Sequence, residues 1–477
     1  MSRRLGLRAL ALLLVALAAC GSPPPAQKKA EAPRRKPPSL ATPQAEGDTG
    51  REAAKQVEAQ VGLVANPALR SYVQAVGARL ARNAPGFRYD YRFEIADDAA
   101  PNAFALPGGR IYVSRGVLAL TENEDELANV LGHEISHVAS RHAAAQQQVA
   151  GNSVMRMLQF RSLAAYSRDL ESTADRLGQG LAAVSGYDPN GMAAFLVSLD
   201  RLSRFQSGSQ QQAGFLSTHP GTPGRAHEMA QRAGTIQWTR TPTIVASPAA
   251  YLRQLDGLAV GTDVAQGVFD GQRFLHADLG FTLRFPDGFE TMNTPLAVGA
   301  ISPDRRMQLV LEMAAPGGDL QAAAAAWRDQ LGRSLALETA GPVRVGGRDA
   351  FQLRGAAGGA RLITTFLPFR DHVYQLTCAG FDDRRLDALC NVTTRSFRPL
   401  PPELLANVSG LRLAIVEARG GETLAALGAR SGNAWTPAET AAWNGVAPEG
   451  ALRSGDLVKV ARRVPWSPRP AGSGGAQ

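Results

Sequence analysis

The 477-residue chain contains only three cysteines, carries little net charge outside its N-terminus and lacks a second long hydrophobic run. Most of the net charge of +9 falls in the first 47 residues, which hold eight Lys/Arg against two Glu. The small balance that remains gives no reason to expect a nucleic-acid partner. Hydrophobic residues at 44% and charged residues at 19% exclude a disordered or many-pass membrane protein. A chain of this length predicts several domains.

The N-terminus has the pattern of a bacterial export signal. MSRRLGLRALALLLVALAAC combines a basic start, small residues before Cys20 and an apolar run shorter than the roughly 20 residues of a spanning helix. LAAC followed by Gly21 resembles a lipobox, which implies cleavage before Cys20 and lipidation of its thiol. The alternative is an ordinary signal peptide with an incidental cysteine. We expect a chain that is anchored to the outer membrane without crossing it, because Gly21 is typical of lipoproteins sent there.

Changes in composition predict an α+β multidomain protein. Cys378 and Cys390 lie in a β-rich segment, where they form either a disulfide or two buried thiols. The predicted segments are a signal peptide at 1–19, the lipidated cysteine and a Pro-rich tether at 20–47, a mainly helical domain at 48–240, an α+β domain at 250–400, a small domain at 405–465 and a disordered tail at 466–477.

The stretch LANVLGHEISHVASRH, residues 127–142, contains two histidines four positions apart. On a helix, His133 and His137 fall together beside an arc of apolar residues, where two imidazoles one turn apart can chelate a single cation. Glu134 can then reach a water without being a ligand. About 0.005 such matches are expected by chance in this chain. The pattern therefore predicts a hydrolytic zinc site, and the alternative is a surface helix with solvated histidines.

A second helical stretch, YSRDLESTADRLG, offers a carboxylate as third ligand. Glu171 and Asp175 lie one turn apart on a common face. Glu171 could complete a His₂Glu set that leaves one position for water. Asp175 could accept a hydrogen bond from the free nitrogen of a ligating imidazole. The alternative is a pair of acids that face solvent.

Three motifs, HEISH, YSRDLESTAD and STHPGTPGR, occur in an order that resembles metallopeptidase family 48. The resemblance covers about residues 48–233, including PNAFALPGGRIYVSRGVL. It implies a mainly helical, gluzincin-type zinc protease domain with a small β-hairpin at the edge of its sheet. The site residues that it implies are His133, His137 and Glu171 as zinc ligands, Glu134 as general base and acid, and Asp175 as their support.

The resemblance also implies how substrates bind. Extended or unfolded polypeptides would add as a strand along the edge formed by Asn102, Ala103 and Phe104. His219 and Arg225 would lie over the zinc, with His219 either donating to the tetrahedral oxyanion or binding zinc as an inhibitory fourth ligand. We favour the second role because the polar segment 206–214 could act as a hinge. His142 points toward the apolar arc, and we expect it to be structural.

Two accessory segments resemble other modules. The C-terminal segment, with GETL, WNG and GDLV at intervals, resembles a LysM module, which implies a βααβ fold that often binds peptidoglycan. Segment 250–400 resembles PsbP-like α+β domains through HADLGFTLRFPDGFE.

Together these patterns predict a lipid-anchored zinc endopeptidase at the periplasmic face of the outer membrane. Its substrates would be misfolded or stalled envelope proteins, and peptidoglycan would be a further partner. The alternative is a non-catalytic or latched scaffold lipoprotein that binds client proteins and peptidoglycan. The enzyme is favoured because a scaffold has no need of Glu134 beside an open His₂Glu set.

Overall fold

The computed structural model describes residues 42–145, 168–206, 214–220 and 224–467. These residues form two compact units, of which the first comprises 42–262 with 410–464 and the second comprises 263–409 with 465–467. The protein is therefore a mixed helical and sheet multidomain protein, as predicted. Cys20 and residues 468–477 lie outside the described part of the chain. Within that part, no helix is both long enough and apolar enough to cross a membrane.

The first unit is mainly helical up to residue 262. Its first helix begins earlier than predicted, inside the segment that the sequence assigns to the tether. The side chain of Thr42 accepts a hydrogen bond from the Ala45 amide and Pro43 takes the first helical position, so both residues fix this start. The helices are α1 (Pro43–Val61), α2 (Pro67–Ala81), α3 (Arg115–Leu120), α4 (Glu124–Ala139), α5 (Arg168–Val184), α6 (Gly191–Gln206), α7 (Phe215–Thr218), α8 (Arg225–Ala233) and α9 (Pro248–Gln254).

A small sheet contains the hairpin that the sequence predicts. Its strands are β1 (Arg92–Ala96), β2 (Ala103–Leu106) and β3 (Arg110–Ser114), in the order β1-β3-β2. Strand β1 runs parallel to β3, and β2 runs antiparallel to it at the edge of the sheet. Helix α1 packs directly on the hairpin turn, because a Cβ atom at Gly50 would lie only 1.7 Å from the carbonyl oxygen of Pro107. A glycine at position 50 is thus required for this contact.

Helix α4 runs through the apolar core of the first unit. Leu127, Leu131 and Ile135 are fully buried in the same core as residues of α2 and α6. The helix begins with a capping box, in which the side chain of Asn123 accepts from the Glu126 amide and the Glu126 carboxylate accepts from the Glu122 amide. The start and the orientation of α4 are therefore set by its own sequence together with the core around it. The first part of the unit ends with β4 (Ala259–Val260).

The second unit is built on a seven-stranded antiparallel sheet in the order β11-β12-β13-β14-β10-β9-β8 and a four-stranded sheet in the order β15-β7-β6-β5. A disulfide between Cys378 and Cys390 joins β14 to α11, which decides between the two alternatives left by the sequence. The strands are β5 (Val268–Asp270), β6 (Arg273–His276), β7 (Phe281–Arg284), β8 (Glu290–Asn293), β9 (Ala297–Ile301), β10 (Met307–Pro316), β11 (Ala336–Val345), β12 (Arg348–Ala357), β13 (Ala360–Phe369), β14 (His372–Gly380) and β15 (Arg398–Pro399). The helices are α10 (Leu320–Leu331), α11 (Asp383–Ser396) and α12 (Pro402–Leu405), with 3₁₀ turns at Val264–Gln266 and Gly332–Ser334.

The chain then returns to the first unit. The elements of this returning segment are β16 (Ser409–Glu417), α13 (Leu424–Ser431), α14 (Pro437–Asn444) and β17 (Leu457–Pro465). Strand β16 pairs with both β17 and β4, so residues far apart in sequence form one three-stranded sheet. The sequence predicts a separate domain here, whereas the structure packs this segment against the helical part of the first unit.

Buried side chains hold the returning segment in place. Trp443 and Leu413 belong to the apolar core that surrounds α4. Lys459 is fully buried, and its ammonium group donates to the Leu120 carbonyl at 3.0 Å and to the Glu122 carboxylate at 2.7 Å. A buried lysine requires such partners. These contacts reach the turn between α3 and α4, which directly precedes the helix that carries the histidines.

Candidate metal centre and active site

Helices α4 and α5 bring three predicted ligands together. The Nε2 atoms of His133 and His137 lie 3.0 Å apart, and each lies 3.4 Å from an oxygen of Glu171. All three side chains are buried. The two helices can approach this closely because α5 carries Gly178, where a Cβ atom would lie 2.9 Å from the backbone nitrogen of His133.

His219, at the end of α7, supplies a fourth donor atom. Its Nδ1 atom lies 3.3 Å from His133 Nε2 and 3.0 Å from Glu171 Oε1. Donors bonded to a tetrahedral zinc ion at about 2.0–2.1 Å lie about 3.3–3.4 Å from one another. The four side chains, whose donor atoms all lie within 4.8 Å of one another, therefore suit zinc in both chemistry and spacing.

Glu134 points into the same site without a hydrogen-bond partner. Its side chain is fully buried, and neither carboxylate oxygen has a hydrogen-bonding partner among the residues described. Its Oε1 atom lies 3.4 Å from His219 Nε2. Burial raises the pKa of this carboxyl group above its usual range. A buried carboxylate with no donor is unusual, and it fits a group that takes a proton from a water held in the site.

Asp175 contacts the far side of one ligand. Its Oδ1 atom lies 3.0 Å from His133 Nδ1, the ring nitrogen that faces away from the other donors. The Arg225 guanidinium donates to both oxygens of Asp175, at 2.6 and 2.7 Å. A carboxylate in this position keeps the histidine in the tautomer that leaves Nε2 available to a metal.

Arg225 lies at the site, but its donors are used by protein acceptors. Besides Asp175, it donates to Glu171 Oε2 at 3.1 Å and to the His219 carbonyl at 2.9 Å. The family resemblance implies a position over the zinc, whereas here the guanidinium holds the two carboxylates and the backbone at His219. It is placed to position the ligands.

The electrostatics of the site keep the carboxylates of Glu171 and Asp175 ionised. Burial alone would raise the pKa of Glu171, but hydrogen bonds with three histidines lower it well below its usual range. Burial likewise opposes ionisation of Asp175, whose pKa is nevertheless lowered to about 2 by His133 and Arg225. Burial lowers the pKa of His137, and it would also lower that of His133, whose hydrogen bonds to Asp175 and Glu171 instead raise it to about 9.

Comparison with known proteins agrees with this geometry. The sequence profile of "Peptidase family M48" matches residues 67–164 and 149–233. The two matches together cover residues 67–233, about a third of the chain, and this part of the chain is similar in sequence to peptidase family M48. We call residues 67–233 the M48 domain.

Named relatives share this domain. The beta-barrel assembly-enhancing protease of Yersinia pestis is 31% identical over 225 residues, 42% of this chain and 45% of that protein. The protein of the same name from Escherichia coli K12 is 27% identical over 210 residues, 38% of this chain and 42% of that protein. The mitochondrial metalloendopeptidase OMA1 of Schizosaccharomyces pombe is 31% identical over 156 residues, 29% of this chain and 45% of that protein. The chain spans less than half the length of these relatives.

One solved structure shows a weak likeness to part of this chain. The solution structure of cyanobacterial PsbP from Synechocystis sp. PCC 6803 aligns over 29% of this chain and 98% of its own length, at 14% identity. The TM-score is 0.24, which establishes no common fold.

The predicted substrate edge lies next to the predicted metal ligands of the M48 domain. The amide of Ser114 donates to the Asn102 carbonyl at 2.8 Å, and the strand register continues with Ala103 opposite Val113. Because hydrogen-bonded positions alternate along an antiparallel pair, the backbone groups of Ala103 and Ala105 point away from β3, toward the open edge. Phe104 lies between these two residues, and its aromatic ring stacks on the ring of Tyr112.

In this structure the segment that carries His219 contacts that edge. His219 Nε2 lies 3.2 Å from the Ala103 carbonyl oxygen, and the Phe215 amide donates to the Pro101 carbonyl at 2.8 Å. The Thr218 hydroxyl donates to the side chain of Asn102 at 3.1 Å. The predicted hinge at 206–214 falls almost entirely outside the described residues.

His142 is the site residue that the sequence interpretation missed. Its Nδ1 atom lies 2.9 Å from Nδ1 of His137, and the ring is 3% exposed. A spacing of five residues would not place both rings on one face of a continuous helix. The helix ends at Ala139, however, and the chain turns back. The sequence could have indicated this contact only through a residue between His137 and His142 that is typical of helix ends.

Proposed function

We propose that the protein is a zinc-dependent endopeptidase of the bacterial cell envelope, with a gluzincin-type site. The observation that carries the proposal is the convergence of His133, His137 and Glu171 on one point, with the buried Glu134 beside them, whose oxygens accept no hydrogen bond from the described residues. The match of residues 67–233 to the M48 family supports it. The relatives' names, which describe a protease and a metalloendopeptidase, support the same activity.

The residues of the site divide the work of peptide hydrolysis. Zinc, when bound, supplies Lewis acidity that polarises the scissile carbonyl and lowers the pKa of the attacking water. Glu134 accepts the proton of that water and then donates it to the leaving amine. Its raised pKa brings it closer to neutral pH, where such an exchange is efficient. Asp175 and Arg225 hold His133 and Glu171 in place.

Substrate binding along β2 favours extended chains. A polypeptide that pairs with the outward backbone groups of Ala103 and Ala105 is recognised mainly through its own backbone. Such pairing is open only to unfolded or partly unfolded segments. Together with the predicted export signal and the names of the relatives, this supports misfolded or stalled envelope proteins as substrates.

We further propose that this arrangement is a latched state of the enzyme. A catalytic zinc site keeps one position open, whereas a site with four protein ligands is closed. Here His219 provides the fourth donor, and its segment also contacts the Pro101 and Ala103 carbonyls on the substrate edge. Activity then requires His219 to move away. A non-catalytic scaffold is the second candidate function, since a permanently latched protein would bind client proteins without cleaving them.

The accessory features complete the proposal. Lipidation at Cys20 would anchor the protein at the periplasmic face of the outer membrane. The segment 410–464 has two helices between two strands, which agrees with a LysM-like module and with peptidoglycan as a partner. A pull-down of the full chain on insoluble peptidoglycan measures that binding, and a chain that stays in solution would contradict it.

Casein cleavage by the exported chain starting at Gly21 tests the activity. Wild type, Glu134→Gln, His219→Ala and the double variant are loaded with zinc, and their zinc content is measured beside their cleavage rate. We expect His219→Ala to cleave fastest and both Glu134→Gln proteins to be inactive with zinc retained. No cleavage by either wild type or His219→Ala, with a full complement of zinc in both, would contradict the endopeptidase and favour the scaffold function.

A further inference from the structure

A second histidine contact accompanies the zinc ligands in the M48 domain. His142 is not among the four clustered donors, yet its Nδ1 atom lies 2.9 Å from Nδ1 of His137. We propose that His142 is a positioning residue that fixes the tautomer and orientation of His137, so that Nε2 of His137 faces the metal. This inference rests on the proposed zinc site and assigns a role to a residue outside it.

The direction of the hydrogen bond follows from the ligand role of His137. Its Nε2 atom faces His133 and Glu171, so this nitrogen must carry the lone pair that a metal binds. The proton of His137 therefore resides on Nδ1, which donates to Nδ1 of His142. His142 accepts with a lone pair and keeps its own proton on Nε2.

A residue with a strained backbone conformation places His142 at this position. Arg141 follows the end of α4 and has a φ angle of 53°, in the left-handed region that residues other than glycine rarely adopt. This turn folds the chain back, so that a residue beyond the helix reaches a ligand within its last turn. Such a conformation persists only where the surroundings hold it, and it is enriched at functional sites.

Buried partners hold Arg141 in that conformation. Its Nε atom donates to Glu46 Oε1 at 2.8 Å, and Glu46 itself is only 2% exposed. The hydroxyl of Tyr89 donates to the other oxygen of Glu46. Helix α1 thus clamps the turn that places His142, although it supplies no ligand itself.

The two zinc histidines have partners of different charge. Asp175, an anion, contacts His133, whereas a neutral imidazole contacts His137. The site already encloses the carboxylates of Glu134, Glu171 and Asp175. A further carboxylate beside His137 would repel these groups in a buried environment, whereas a neutral acceptor orients the ring without added charge.

Zinc affinity of two matched variants tests the proposal. The Oδ1 atom of asparagine is as many bonds from Cα as Nδ1 of histidine, so His142→Asn keeps an acceptor where His142→Leu places a methyl group. Apparent zinc dissociation constants of the full mature chain are measured by competition with a chelator. We expect His142→Leu to bind zinc about 10–100-fold more weakly than wild type and His142→Asn to recover most of that loss. His227→Ala, on an exposed face of α8, is the control histidine replacement and should bind as wild type does.

Thermal unfolding of the metal-free variants separates folding from metal binding. If His142→Leu does not fold, His142→Ala replaces it in the comparison with His142→Asn. Equal zinc affinity of the asparagine variant and the apolar variant would overturn the positioning role. Failure of the proposed function is a different result, namely a wild-type chain that binds no zinc or binds it without cleaving a substrate.

Discussion

The Nε2 atom of His219 lies 3.2 Å from the carbonyl oxygen of Ala103. The Nδ1 atom of the same ring lies 3.0 Å from Glu171 Oε1, among the metal ligands. One imidazole therefore contacts both the metal centre and the backbone edge that would bind a substrate. Movement of this side chain would free a coordination position and a hydrogen-bond acceptor together, so that metal access and substrate access are coupled.

Replacement of His219 by alanine should raise peptidase activity. If the latched arrangement holds 90–99% of the molecules, its removal increases the competent population and hence the rate by about 10–100-fold. Initial rates of peptide cleavage by zinc-loaded His219→Ala and wild type measure this, with His227→Ala as the matched control. A loss of activity with zinc retained would instead identify His219 as a donor to the oxyanion.

Zinc binding should depend on pH through His133. Hydrogen bonds to Asp175 and Glu171 outweigh burial and raise the pKa of His133 to about 9 in the metal-free protein. Zinc requires this ring to be neutral, so binding between pH 7 and 9 releases about one proton and its apparent affinity rises by up to about tenfold per pH unit.

Calorimetry of zinc binding in buffers of different ionisation enthalpy measures the released proton. Asp175→Asn removes an anion that stabilises the charged ring, so the affinity should stop rising at a lower pH in this variant. The raised pKa of His133 also makes the stability of the metal-free protein depend on pH. The charged contacts of His133 stabilise the metal-free fold fully below pH 6.5, and this contribution is lost as the pH rises through about 9. A pH-independent zinc affinity across this range would contradict the assignment.

Lys459→Met should destabilise the start of α4. The substitution keeps the buried aliphatic chain but leaves the Leu120 carbonyl and the Glu122 carboxylate without their donor. Because the Glu122 side chain is 31% exposed, water replaces part of the lost interaction, and we expect a loss of about 2 kcal/mol. Hydrogen exchange of the amides in residues 115–139 should be faster by about 30-fold.

An exposed lysine provides the control for this experiment. Lys55 pairs with Glu52 on the surface of α1, where its side chain is 74% exposed. Lys55→Met should change stability by less than about 0.5 kcal/mol, since exposed ion pairs contribute little. Equal exchange rates in the two variants would show that the buried contact does not support α4.

Loss of the disulfide should destabilise the second unit alone. Cys378 and Cys390 are 12 residues apart, and a cross-link over a loop of this size stabilises by about 3 kcal/mol. Calorimetric unfolding of the Cys378→Ala/Cys390→Ala variant should therefore show a lower transition for residues 263–409, with zinc content and the unfolding of the first unit unchanged. A shift of both transitions by the same amount would contradict this separation.

The zinc helix and its hairpin could be predicted because their signals are local. The spacing of His133 and His137 sets a helix face, and Pro107 with two glycines marks a turn. No local sequence pattern indicated that the returning segment packs against the core around α4. Lys459 occurs in an ordinary alternating strand pattern, and its burial depends on acceptors more than 300 residues away in sequence.

The contact between His142 and His137 could not be predicted from the sequence, for a different physical reason. Helical periodicity relates the positions of residues within one helix. It does not extend to His142, because Arg141 adopts a left-handed backbone conformation just beyond the end of α4. Arginine gives no hint of that conformation, as glycine or asparagine would. It is imposed by Glu46, from a helix that precedes the histidines by some eighty residues.

The pairing of β4 with β16 joins segments of the first unit that are synthesised far apart in time. Synthesis proceeds from the N-terminus, so every zinc ligand has been made once residue 219 is complete, yet the core around α4 still lacks Leu413 and Trp443. Contacts between residues so distant in sequence form late in folding, because a long loop must first be closed. A nascent or prematurely terminated chain thus carries the full set of ligands without the framework that holds them. For the proposed endopeptidase, completion of the polypeptide would thus prevent cleavage of surrounding proteins before synthesis has ended.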